Sequence, residues 1–187
     1  MITEKTVNVC NRVAEFIRNR TNVLAYSVTD FDCALTGGHN EIDEKLCEEL
    51  GYAICPTPHH GGNLIAHAGD LGFYYFSDNE EKFIKNFVDY FVSYLRNKGL
   101  NAYFDDNDVM IDGYKVCGVS LQVMNNFFVA GAHIGVHTNV DNVKKLCTNK
   151  PCIKEPKGIA EYGITTEELV EMLKDFANKY NYANRDL

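Results

Sequence analysis

The chain has 187 residues, of which 45% are hydrophobic and 24% charged, with a formal net charge of -8. That length and balance fit one soluble globular domain with a proper core, and the acidity argues against non-specific nucleic-acid binding, which needs lysine and arginine to neutralise phosphates. The N-terminus lacks the apolar stretch of a signal peptide and no run is long enough to span a membrane, so a cytoplasmic location is expected. The seven cysteines form no CxxC pair, which excludes a zinc ribbon and reads as small hydrophobes in a reducing compartment.

In chain order, residues 3–19 read as a helix with Val9, Val13, Phe16 and Ile17 on one face. Residues 22–28 read as a strand. A second helix is expected near 41–50, with Asn40 as N-cap and Gly51 as its stop. A short strand at 52–55 leads into Pro58-His59-His60-Gly61-Gly62. Residues 64–67 and 72–76 look like a hairpin around Gly69-Asp70. Ser77-Asp78-Asn79-Glu80 has the capping-box pattern and opens a helix in which Phe83, Phe87, Phe91 and Tyr94 recur at helical spacing, a stripe expected in the core; Gly99 ends it. Strands follow at 101–104, 108–111, 114–124 and 127–138, with turns at Asp112-Gly113 and Asn125-Asn126. A short helix at 140–146 precedes a last helix at 166–179, capped by Thr165 and Glu168. The pattern predicts an α+β fold with a mixed, largely antiparallel sheet flanked by helices, in a single domain over 1–187.

Several residues stand out for chemistry. Gly61 and Gly62 lack the Cβ atoms that would hold a phosphate or a narrow acyl chain away from the backbone. Lys115, just past the Asp112-Gly113 turn, enters a strand of small or apolar residues. A desolvated ammonium there needs a partner, such as a phosphate or an acyl carbonyl, and Gly118 leaves room for it. Asn107 and Asp108 read either as a polar strand start or as contacts to a ligand or magnesium. His133 and His137, on a strand, would lie roughly 13 Å apart, too far for one metal ion. His59, His60 and His67 are candidate bases or ligand contacts, His67 equally a buried structural histidine. Cys152, between Lys150 and Lys154, has neighbours that favour a thiolate nucleophile; an inert loop cysteine is the plain alternative.

The order of these pieces resembles the biotin/lipoate protein ligase superfamily, which includes lipoate–protein ligase A, octanoyl transferase and biotin protein ligase. His60 to His67 match the frame of its glycine-rich acyl- and nucleotide-binding loop, and Asn107 to Gly118 its Asn-Asp…Gly-x-Lys-x-x-Gly segment. Gly131 to Asn139 resemble the following strand. Asn149 to Cys152 are similar to the octanoyl transferase segment holding the catalytic cysteine, and Lys157-Gly158-Ile159 to a tripeptide shared by several branches.

The resemblance implies a class II aminoacyl-tRNA synthetase/biotin ligase-like catalytic domain without the accessory C-terminal domain of lipoate ligases. It implies a lipoate–protein ligase or octanoyl transferase-type enzyme that moves a lipoyl or octanoyl group to a lysine of a carrier domain. Lys115 and Cys152 would be catalytic, and His60, Gly61, Gly62, Asn63, His67, Gly118 and His133 would bind substrate. Lipoate or octanoate would be the substrate and a lipoyl-carrier domain or acyl carrier protein the partner, with no nucleic acid, membrane or structural metal. In the ligase branch Asn107 and Asp108 would place ATP and magnesium. The chain departs from the family where His59 and His60 replace the expected arginines, where the loop is one glycine poorer, and where the turn after His67 is one residue short. The resemblance therefore supports the acyl pocket more than the nucleotide site. The alternatives are a non-catalytic cofactor- or acyl-binding protein that retains the fold, and a biotin ligase-like enzyme.

Overall fold

A computed structural model of the chain describes residues 12, 15–36, 42–56, 64–77, 82–124, 127–147 and 154–187. Its strands are β1 (Val23–Val28), β2 (Cys33–Thr36), β3 (Ala53–Pro56), β4 (Leu64–Ala66), β5 (Leu71–Ser77), β6 (Ala102–Asp105), β7 (Asp108–Ile111), β8 (Tyr114–Met124), β9 (Phe127–Ile134) and β10 (Asn184–Asp186). The helices are α1 (Glu44–Leu50), α2 (Phe83–Asn97), α3 (Val140–Leu146) and α4 (Thr166–Lys179), with a 3-10 turn at Ile159–Tyr162. A seven-stranded sheet has the order β10-β1-β5-β9-β8-β7-β6, and a three-stranded sheet the order β3-β2-β4. Among the described strand pairs only β1–β10 and β2–β3 are parallel, so the expected α+β class with a largely antiparallel sheet is observed. No helix among the described residues is long and apolar enough to cross a membrane.

One face of the large sheet carries the main core. Phe83, Phe87, Phe91 and Leu95 of α2 are fully buried at four-residue spacing, while Tyr94 is only half-buried. Phe87 meets Phe73 of β5 and Phe176 of α4 with ring centroids 4.6 and 5.7 Å apart. Each such side chain contributes about 1.5–3 kcal/mol through burial. The capping box at Thr165 and Glu168 opens α4 as expected. On the opposite face Val23, Ala25, Phe76, Phe127 and Val129 form a second cluster, against which Phe16 and Ile17 pack.

Four expectations need correction. The N-cap of α1 is Asp43, whose side chain accepts from the Leu46 N–H at 2.9 Å; Asn40 lies outside the described residues. Ser77 is not the N-cap of α2, and Asp78, Asn79 and Glu80 lie outside the described residues. Ser77 is the last residue of β5, paired with Phe128, and α2 begins at Phe83 behind Lys82, which makes no side-chain cap. β4 and β5 form no hairpin: β4 pairs with β2 and β5 with β1 and β9. The chain changes sheets at His67–Asp70, because the partners of both strands lie elsewhere in the sequence. Finally, β9 stops at Ile134. Gly135 donates its N–H to the Val116 carbonyl at 3.0 Å, and the chain turns away, so His137 is not on a strand.

The segment 155–159 packs on that turn. A Cβ on Gly158 would lie 2.4 Å from the Val136 carbonyl oxygen and 2.8 Å from the Thr138 nitrogen, both backbone atoms. Gly158→Ala is therefore expected to cost about 2–3 kcal/mol by forcing these backbones apart, measured by chemical denaturation. Gly72→Ala, whose Cβ would meet nothing within 4 Å, should stay within about 0.5 kcal/mol of the parent.

Candidate functional site

Lys115 owes its position to an irregularity. Asp112 and Gly113 both have positive φ, 51° and 88°, and close the β7–β8 hairpin as expected. Strict alternation from Gly118 back to Lys115 would turn the lysine into the main core. The β7–β8 register instead shifts between Val109 and Met110, so that Val109 faces Cys117 and Met110 faces Lys115. This bulge lets Val116 and Cys117 both enter the main core and returns Lys115 to the face of Gly118. The backbone of Lys115 is then clamped from outside: its N–H donates to the Glu155 carbonyl and its carbonyl accepts from the Lys157 N–H, both at 2.9 Å. Cys117, although next to this site in sequence, is buried in the main core, where burial pushes its thiol up to about 12.

On the face that carries Lys115, one row runs across four strands. Gly72 of β5 pairs with His133 of β9, His133 with Gly118 of β8, and Gly118 with Asp108 of β7; cross-strand partners point to the same side. Two glycines thus flank His133 and leave a trough. The Lys115 ammonium lies over Gly118, where a Cβ would come within 3.2 Å of Nζ. The neighbouring row holds Tyr74, Gly131 and Ser120, and a Cβ on Gly131 would touch the Tyr74 ring at 3.3 Å. The floor beside the polar end is therefore glycine at positions 72 and 118, and the Tyr74 ring covers Gly131 before the apolar cluster of Phe76 and Val129.

The polar end carries balanced charge. Lys115 Nζ is 2.7 Å from Asp108 Oδ1, and Lys154 Nζ is 3.2 Å from Asp108 Oδ2 and 3.1 Å from Asp105 Oδ2. Burial alone would lower the pKa of Lys154, but its hydrogen bonds to Asp105 and Asp108 outweigh this and raise it. Asn107 accepts the Val119 N–H through its backbone carbonyl at 2.8 Å, and its side chain is exposed. Both Asp108 oxygens face ammonium groups, and no group of three metal-ligating side chains occurs among the described residues. These residues do not fit a resident magnesium ion.

Behind the trough sits Asp70, which the sequence reading passed over and the structure makes central. It is fully buried. Oδ2 accepts the His67 N–H at 2.8 Å and Oδ1 the Val136 N–H at 2.6 Å and the His137 N–H at 3.4 Å. His133 Nε2 lies 3.3 Å from Oδ2. Burial would raise the pKa of Asp70, yet the two histidines and the backbone donor hold its carboxyl far below the usual carboxylate range. His67 is buried and structural in its contacts: Nε2 accepts the Asn139 N–H at 3.2 Å and faces the Tyr52 hydroxyl at 3.0 Å, so the ring proton belongs on Nδ1. The available signal for Asp70 was a lone carboxylate between two apolar strands.

The structure thus brings Lys115, Asp108, Gly118 and His133 together on one face, with His67 one layer behind through Asp70. His60, Gly61, Gly62, Asn63 and Cys152 lie outside the described residues. Cys33, Cys47, Cys55, Cys117 and Cys147 form no disulfide with one another.

Residues 28–181 match the family model of the lipoyl protein ligase A/B catalytic domain. The chain belongs to this family. No curated protein sequence matches it significantly. Among solved structures, P. falciparum LipL1 in complex with lipoate aligns at TM-score 0.74 and 17% identity, over 97% of this chain and 62% of that one. The chain thus spans less than two thirds of LipL1. A bi-partite lipoate protein ligase from Thermoplasma acidophilum, described with its E2 lipoyl domain, aligns at TM-score 0.76 and 15% identity over 100% and 84% of the two chains. Lipoate-protein ligase A bound with ATP gives 0.75 and 16% over 98% and 84%. At these identities the shared property is the fold. The lipoyl protein ligase A/B frame therefore carries, in this chain, a lysine–aspartate–lysine cluster at the end of a glycine-floored trough.

Two predictions follow from this geometry. Asp70 is ionised in the folded state with a depressed pKa, so its stabilisation is present above the ordinary carboxylate pKa of about 4 and is lost as pH falls below it. Thermal stability is expected to fall below about pH 4, and Asp70→Asn to lower neutral-pH stability by about 3 kcal/mol while flattening that acid limb. In Gly118→Val, the added side chain displaces the flexible end of Lys115 rather than backbone. Global stability by denaturant melt should change little, while ligand binding at the trough should weaken by about tenfold or more.

Proposed function

We propose that the protein transfers a lipoyl or octanoyl group to a lysine of a carrier domain. The observation that carries this is the placement of Lys115: a lysine in the family's sequence segment, turned by a bulge onto the sheet face, with its ammonium above Gly118. There it would donate to the acyl carbonyl oxygen and stabilise the negative charge that develops when a nucleophile attacks. The absence of side chains at Gly72 and Gly118 suits a narrow acyl chain beside His133. Membership of the lipoyl ligase family and the lipoate- and lipoyl-domain-associated structures of the same fold support the reading.

The donor follows one of two routes. In the thioester route Cys152 attacks the donor, releasing its thiol, and the carrier lysine then attacks the Cys152 thioester, forming the amide and freeing the cysteine. In the nucleotide route ATP activates the free acid, as the ATP-bound structure of a lipoate-protein ligase suggests, with Lys115 and Lys154 as the cations nearest the phosphate and Asn107 and Asp108 beside them.

Mass spectrometry of an apo carrier domain decides. The protein is incubated with lipoate, ATP and magnesium, and separately with an octanoyl-carrier protein. A mass gain only from the thioester donor, lost in Cys152→Ala, gives the transferase; a gain only with ATP, kept in Cys152→Ala, gives the ligase. Lys115→Met should lower either rate by about 100-fold or more. No gain with either donor, nor with biotin, would overturn the enzyme reading in favour of a binding protein that retains the fold.

A further inference from the structure

We propose that His133, oriented by Asp70, is the proton acceptor for the attacking amine in this acyl transfer, an inference that rests on the function proposed above. Four observations support it. His133 stands in the same cross-strand row as Gly118 and Asp108, and the Lys115 ammonium lies over that glycine. Neighbouring strands are about 5 Å apart, so the imidazole stands one strand away from the glycine that the ammonium covers. The second neighbour in the row is Gly72, whose Cβ position is open, so the ring has no side chain beside it on either strand. Its side chain keeps 15% exposure, against 1% for Asp70.

The fourth observation concerns the ring nitrogens. Nε2 is buried and lies 3.3 Å from Asp70 Oδ2, without the geometry of a hydrogen bond to it or to any other described group. A carboxylate accepts and does not donate, so it favours the proton on Nε2. The neutral ring then has its lone pair on Nδ1. Asp70 is itself held by the backbone N–H groups of His67, Val136 and His137, which fixes the carboxylate independently of His133. This is the base-and-orienter arrangement of acyl-transfer sites, assembled from β9 and the turn between β4 and β5.

The step balances as follows. The neutral carrier amine attacks the acyl carbon of the thioester or acyl phosphate, forming the C–N bond. The bond from carbon to the donor sulfur or oxygen breaks with its electron pair. The proton leaving nitrogen passes to His133 Nδ1 and from there to the departing group or water. Lys115 stays protonated on the carbonyl oxygen throughout, so acid and base are separate residues. Asp70 touches neither substrate nor reacting atoms and is a positioning residue.

The test uses the full chain with the carrier-domain mass assay. His133→Gln, which keeps size and polarity but accepts no proton, is expected to lower kcat by about 100-fold with little change in KM. His133→Ala should regain activity when imidazole is added, because the space between the two glycines is open. In parallel, nitrogen NMR of histidine-labelled protein should show His133 as the Nε2–H form, and Asp70→Asn should shift it toward Nδ1–H. If the parent transfers acyl groups while His133→Gln keeps kcat within twofold, or if imidazole fails to rescue a folded His133→Ala, the proton-acceptor role is overturned and the function reading stands. An Nδ1–H form in the parent overturns the role as well. If the parent transfers from no donor, the function reading falls and this role falls with it.

Discussion

The arrangement of the site depends on one buried carboxylate. A charge with no exposure to water costs several kcal/mol unless it is paired and fully hydrogen-bonded. Asp70 meets that condition by collecting donors from two regions of the chain: the His67 N–H at the exit of the small sheet and the Val136 and His137 N–H groups beyond β9. The small sheet ends in β4, and the large sheet carries Lys115. Asp70 therefore sets how the two sheets meet. Its hydrogen bonds are charge-assisted and roughly twice as strong as neutral ones, so the junction is rigid where a turn between sheets would otherwise be soft. The hydroxyl of Thr166 adds a bond to the Gly69 carbonyl at 2.8 Å, which brings the first turn of α4 onto the same junction.

The second constraint is the bulge in β8. A single extra residue converts a lysine that alternation would bury into one that faces the trough. The cost is a broken ladder between β7 and β8, and it is offset by new main-chain bonds. Lys115 pairs with Pro156 in a short parallel bridge, Gly135 donates to Val116, and Ile159 donates to the Gly135 carbonyl at 2.9 Å. The close approach of Gly158 to Val136 makes that packing possible. The bulge, the end of β9 and the 155–159 segment are thus one unit, and Lys154 reaches Asp108 from it.

Local signals were legible where a local cause is enough. The phenylalanines of α2 repeat at helical spacing, the Thr165–Glu168 box opens α4, and Asp112-Gly113 closes a hairpin; each needs only its neighbours. Lys115, Asp108 and Gly118 stand out by residue type around the hairpin turn, and the structure brings them together on one face with His133. The failures share a different cause. The hairpin expected between β4 and β5 gives way to pairings with β2, β1 and β9, chosen by partners far along the chain. Ser77 carries a capping pattern, but pairing with Phe128 draws it into the sheet. β10 has a polar sequence, Asn184 to Asp186, with no strand signal, and exists because the edge of β1 offers a partner. Asp70 was missed for the same reason: nothing near it in sequence shows that Val136 and His133 will be there.

The charge balance bears on how the site treats its donors. Lys115 and Lys154 face Asp105 and Asp108, two cations against two anions. A neutral thioester carbonyl needs only one of the three N–H groups of Lys115 and can share it with Asp108. A polyphosphate brings several negative charges next to those same carboxylates, and at about 4 Å like charges repel strongly in a partly desolvated site. It would bind well only if it drew the lysines away from Asp108 or found other cations. The family's arginines before the glycines would be such cations, and in this sequence His59 and His60 stand in their place.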